Sequence, residues 1–166
     1  MARSKVKART NRPAVKRSAP LSRRATKSRA AKPRTAARRR HDFVKSHLDP
    51  ADFKTDGLRP YALYRDLGIK KATRGMAVAH VIRLLGKCDP QVVSKWHYHA
   101  ADFQMIYVLK GTVTTEMEGH GAHTLKAGDA WLQPPSLVHR VLDYSDGCEL
   151  LEIVLPGDFK TVELEK

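Results

Sequence analysis

The sequence predicts an all-β sandwich or barrel, and three observations carry that reading. From Arg59 onward, short β-rich runs recur at roughly ten-residue spacing. Each is closed by a turn signal such as "GKCDP", "EGHG", "AGD", "QPPS" or "YSDG". Apolar and polar residues alternate within the runs at the period of a strand. No strand–helix–strand alternation appears, which excludes a parallel α/β fold.

The chain has 166 residues and a formal charge of +14, which is unevenly spread. Residues 1–40 hold 16 of the 31 Lys and Arg and no acidic residue, which leaves residues 41–166 with 15 basic and 17 acidic groups. The high pI therefore belongs to the N-terminal segment. Residues 1–40 are built almost wholly of Arg, Lys, Ala, Ser, Thr and Pro, with too few apolar side chains to bury, so they are expected to be a disordered basic tail. Such a cationic segment binds nucleic acid or an anionic surface weakly and without reading sequence. The same composition also fits a transit segment, a solvated tail, or translation begun from an upstream start.

Residues 41–58 read as a connector, with a short helix expected in an amphipathic turn around "DFVKSHL" before the punctuated "DPADFKTDG". Residues 41–75 are too short, and too broken by Pro and Asp, for a helix-turn-helix reader of DNA. Residues 59–166 form the barrel domain. Its strands are expected in "YALYRDLGI", "MAVAHVIRLL", "QVVSKWHYH", "FQMIYVLKG", "TVTTEME", "HTLKA", "AWLQ", "HRVLDYS" and "CELLEIVLP". In the fifth of these, Val113, Thr115 and Met117 share the buried face. The last is apolar on both faces except at Glu149 and Glu152, which predicts a covered interior strand.

Cys88 and Cys148 form no C-x-x-C pair or disulfide framework, so a reduced, cytoplasmic setting is expected. No run approaches the length of a transmembrane helix, and the N-terminus lacks a secretory apolar stretch.

The chemistry concentrates in histidines. His97 and His99 lie two apart on one strand, so both imidazoles project from the same face. Gln104 follows past "AADF", and His139 comes after the Pro134-Pro135 turn. Three imidazoles and an oxygen donor form a ligand set for a divalent transition metal: Fe, Mn, Zn, Ni or Cu. The bland alternative is that His97 and His99 merely line an empty barrel. His120 and His123 fall at a hairpin turn, and His80 reads as a packed core residue within a strand.

These residues resemble the two motifs of the cupin superfamily. The second half of the first appears as His97-x-His99-x4-Gln104-x6-Gly111, with Gly86 too far upstream to be its opening glycine, and the second as Gly128-x5-Pro134-x-Ser136-x2-His139-x3-Asp143. The motif core runs from 77 to 156. Gln104 stands where the family has Glu, Ser136 where it has Gly, and Asp143 where it has Asn. The resemblance implies an antiparallel jelly-roll barrel of six to eight strands, often dimeric. It also implies that His97, His99, Gln104 and His139 are the ligand positions.

An amide in place of a carboxylate leaves a divalent ion its full charge. It weakens binding, sharpens Lewis acidity and removes a possible general base. From alternation the pocket lining is expected to include Ile106, Val108, Met117, Val113, Trp131, Gln133 and Val141, with Tyr98 and Tyr107 facing away. Glu152 either points inward, as a partner of the site or a general base, or lies outside, paired with a Lys or Arg. Two function classes follow. One is a metal-dependent enzyme on a small organic substrate, a dioxygenase or an isomerase/lyase. The other is a non-catalytic small-ligand or sensor module whose tail contacts an acidic partner.

Overall fold

The computed structural model describes residues 40–165. The expectations for the basic tail concern residues that lie outside this range, apart from Arg40. Ten strands form two five-stranded antiparallel sheets: β1 Ala62–Asp66, β2 Val78–Leu84, β3 His97–Ala100, β4 Phe103–Lys110, β5 Thr112–Met117, β6 Gly121–Lys126, β7 Ala130–Leu132, β8 His139–Tyr144, β9 Glu149–Leu155 and β10 Lys160–Glu163. The first sheet runs β1-β2-β9-β4-β7 and the second β10-β3-β8-β5-β6. This is the jelly-roll arrangement expected, with more strands than the six to eight anticipated.

The alternation of the sequence maps onto the sheets. In β5, Val113, Thr115 and Met117 are buried. Strand β9, the run apolar on both faces, is the centre of its sheet, between β2 and β4. The core between the sheets includes Leu84, Val108, Val113, Cys148 and Leu150. Val108 is fully excluded from water.

Three elements differ from expectation. Residues 91–99 do not form one strand, because Pro90–Val93 is a single helical turn. The Asp89 side chain caps it by accepting from the Gln91 amide at 3.0 Å, and Pro90 at the first position pre-sets the helical φ. The dipeptide Asp-Pro outweighs the β-branched Val92 and Val93.

The expected helix at "DFVKSHL" is not there. That segment has no regular secondary structure, with Phe43 and Leu48 exposed, and the turn falls instead at Pro50–Asp52, a 3-10 helix capped by Asp49. Finally, β10 emerges from a charged C-terminal run and pairs with β3 through register partners such as Thr161 and His99. A short edge strand of mixed polarity carries little alternation to read.

Candidate metal centre

Strand pairing brings the three histidines together. His97 and His139 are direct cross-strand partners on β3 and β8. His99 follows His97 on the same face. The rings lie close, with centroid separations of 4.2 Å for His97–His139 and 5.2 Å for each of the other two pairs. One ligand atom from each residue can be chosen so that all three lie within 4.8 Å of one another. Each Nδ1 is already engaged: His97 with the Lys95 carbonyl at 2.8 Å, His139 with the Leu137 carbonyl at 2.9 Å, and His99 with Thr161 Oγ1 at 2.8 Å. The Nε2 atoms are the remaining ligand positions, that of His139 lying 3.0 Å from Gln133 Nε2, and each ring is oriented by its second nitrogen as a ligating imidazole requires.

Electrostatics favour the ligating form. Burial, reinforced by the neighbouring His139, pulls His97 from its ordinary 6.5 to about 3. Burial likewise pulls His99 to about 4, against the opposing influence of Glu152, and it lowers His139 as well. All three imidazoles are neutral at physiological pH, with lone pairs available. The residues present therefore fit a borderline divalent ion by donor type and protonation state.

Opposite the triad, the inner face of the first sheet carries a row in which His80, Glu152, Ile106 and Trp131 are successive register partners. Glu152 points inward, which resolves the two orientations left open by the sequence. Its Oε2 meets His80 Nε2 at 2.6 Å, and its Oε1 accepts from Gln104 Nε2 at 2.6 Å. Burial alone would raise this carboxyl. The hydrogen bond and charge of His80, with smaller contributions from His99 and Gln104, outweigh it and hold Glu152 below the usual carboxylate range.

Gln104 is buried beside the triad. Its Oε1 accepts from Gln133 Nε2 at 2.9 Å, and the same Gln133 amine lies 3.0 Å from His139 Nε2. The side chains His80, Glu152, Gln104, Gln133 and His139 thus form one continuous hydrogen-bonded chain.

The triad and this chain line a cavity of about 690 Å³ between the sheets. Of the expected lining, Ile106, Val113, Trp131, Gln133 and Val141 are there. Val108 is not, because it packs within the core. Met117 is not either: it faces a smaller hollow of about 280 Å³ beside His120, His123 and Leu137. One further correction concerns the connector, which is part of the site: Asp52, Lys54, Asp56, Gly57 and Leu58 line the cavity. Gly57 is needed there, since a Cβ at that position would run into the Tyr64 ring.

Sequence reasoning also missed Arg59, Tyr61, Tyr64, His80, Phe159 and Thr161, all lining residues. His80 is no inert core residue. Its signal was available: a polar residue on an apolar strand, opposite Glu152 on another.

Residues 85–154 match the family model for the cupin domain. No curated protein matches the chain. Among solved structures, the polyketide cyclase RemF from Streptomyces resistomycificus shares 15% identity over 73% of this chain and 86% of its own, with a TM-score of 0.57. KdgF from Halomonas sp. shares 19% over 67% and 94%, with a TM-score of 0.52. Salicylate 1,2-dioxygenase from Pseudaminobacter salicylatoxidans shares 11% over 64% of this chain, with a TM-score of 0.51, and the match spans only 31% of that enzyme. At these identities the likeness is one of fold. Joined to the family match, it shows a cupin domain over residues 85–154.

Proposed function

We propose that this protein is a metal-dependent enzyme acting on a small organic substrate, by dioxygenase or isomerase/lyase chemistry. One observation carries the reading: three neutral imidazoles with tethered Nδ1 atoms converge on the wall of a cavity of about 690 Å³. His97, His99 and His139 would hold the ion, with the Gln104 carbonyl as the fourth donor. A divalent ion there supplies Lewis acidity toward a substrate oxygen. The rest falls to the chain's own residues. Ile106, Val113, Val141 and Leu150 exclude water from the inner wall, and Tyr61, Tyr64 and Trp131 offer flat surfaces for an organic framework. Burial, with the charge of Glu152, pushes the Tyr64 hydroxyl up to about 12, so it stays a neutral donor. The Glu152–His80 pair is the place on this wall where a proton can be held.

A second reading, a non-catalytic small-ligand module, draws on a different fact. Both Glu152 oxygens already accept hydrogen bonds, so no free base stands beside the triad. Oxygen uptake and product formation by Fe-, Mn-, Ni-, Cu- and Zn-loaded protein, tested on diketones, flavonols and aromatic diols, separate the two. The enzyme reading expects turnover that disappears in His97→Ala. Absence of turnover with every metal would leave the binding module.

We also propose a homodimer. Phe103, Tyr107, Leu109 and Leu132 form an exposed apolar strip along β4 and β7, which fits the covered face of a dimer.

A further inference from the structure

Arg59 stands at the wall of the cavity, and its side chain is only 14% exposed. One arm of its guanidinium is accounted for: Nη1 donates to Glu163 Oε1 at 2.6 Å. The other is not. Nη2 is buried and has no hydrogen-bond partner. A buried charged donor left unpaired is costly, and native structures rarely tolerate one without a purpose. Glu163, half-exposed on the short edge strand β10, pairs with Nη1 alone, and solvent screens part of its charge. The guanidinium charge reaches the triad, where it acts on His97, His99 and His139 alike.

The surroundings single out the sign of the missing partner. The three imidazoles are neutral, and Gln104 contributes an amide where the family has a carboxylate, so the ligand positions bring no negative charge. Glu152, the one buried carboxylate among the described residues, is already paired with His80 and Gln104. Asp52, Asp56 and Asp66 at the rim are exposed, and solvent screens them. A small anion entering beside the aromatic rings therefore meets one near-buried cation and no uncompensated buried negative charge.

Resting on the metal-dependent reading above, we infer that the cavity takes a small carboxylate, whose carboxyl group pairs with the Arg59 guanidinium once its buried Nη2 turns toward the cavity, while the rest of the molecule lies against Tyr61 and Tyr64 toward the triad. Arginine suits this role because its planar fork matches two carboxylate oxygens, and lysine cannot reproduce that geometry. Arg59 lies outside the matched family segment, on the stretch that leads into β1. The specificity is therefore built by this chain's own N-terminal strap.

The test is equilibrium binding to the full-length protein, metal-loaded and metal-free, and it does not depend on turnover. The probes are acetate, benzoate, salicylate and pyruvate, each paired with its neutral amide. At least one carboxylate should bind about ten-fold or more tightly than its amide. That preference should vanish in Arg59→Met and fall to an intermediate value in Arg59→Lys, with the thermal melt of each variant confirming that it is folded. Loss of turnover with the preference intact would refute the enzyme reading and leave this one standing. If no carboxylate is preferred over its amide, or if the preference survives in Arg59→Met, the inference is overturned.

Discussion

A carboxamide can be turned end for end with little change in shape, so the orientation of Gln104 has to be fixed by its neighbours. Glu152 does this. An ionised carboxylate only accepts, so Gln104 must present its amine to Glu152, which leaves its oxygen for the Gln133 amine. That amine in turn faces the His139 Nε2 lone pair. The same contact explains why residue 104 is not a glutamate: two carboxylates would meet at the 2.6 Å distance that now separates amide and carboxylate. Gln104→Glu is expected to destabilise the metal-free protein by about 1–3 kcal/mol at neutral pH. Adding Glu152→Gln reverses the polarity of the pair. The amide now at position 152 donates to the carboxylate at position 104 and still accepts from His80, which restores most of the loss. A double variant no more stable in denaturant titration than Gln104→Glu alone would contradict this.

Protonation gives a second expectation for metal-free protein. The folded pKa values of His97 and His99, about 3 and about 4, lie below their ordinary 6.5. Between those values the unfolded chain binds more protons, so stability falls as pH drops from about 6.5 toward about 4. Melting temperatures measured across that range should decline, and a flat or rising trend would count against buried neutral imidazoles. The sequence made the histidines legible through their spacing. It left Glu152 ambiguous, because a lone carboxylate on a strand buried on both sides has no alternation to orient it.

At the scale of elements, pattern and chemistry were legible where strands are long. Strands β4, β5 and β9 follow their alternation closely. Short pieces escaped: the helical turn Pro90–Val93 is set by one cap and one proline, and β10 by its pairing with β3. The strap before β1 escaped as well, since its place in the cavity depends on the Lys54–Tyr64 bridge and on Gly57 lying against Tyr64. Two motif positions show why the turns hold. Ser136 keeps the left-handed φ of 60°, the conformation for which the family's glycine is suited. Gly111, at the β4–β5 turn, has φ of 76°, and a Cβ there would come within 2.4 Å of Ser145 Oγ and 3.1 Å of Cys148 Cα. Gly111→Ala should cost about 1–3 kcal/mol in chemical denaturation. A neutral substitution would mean that the turn relaxes freely.

For the whole molecule, the sheets do two jobs with one cavity. One sheet contributes the imidazoles, the other His80, Glu152 and Gln104, which Gln133 links to His139, so the site exists only when both sheets close. The basic segment is separate in sequence and in charge, and weak binding to nucleic acid or anionic surfaces is one of the roles its composition fits. No helix among the described residues is long and apolar enough to cross a membrane.

The central claim is that one divalent ion is held by three imidazoles between the sheets. An anomalous-scattering map, collected at metal absorption edges on crystals of the untagged full-length protein grown with metal, tests it most directly. The account predicts a single strong peak bonded to Nε2 of His97, His99 and His139, and weakened in His97→Ala. It is contradicted if metal-supplemented crystals show no peak among these rings, or show the ion held elsewhere on the chain.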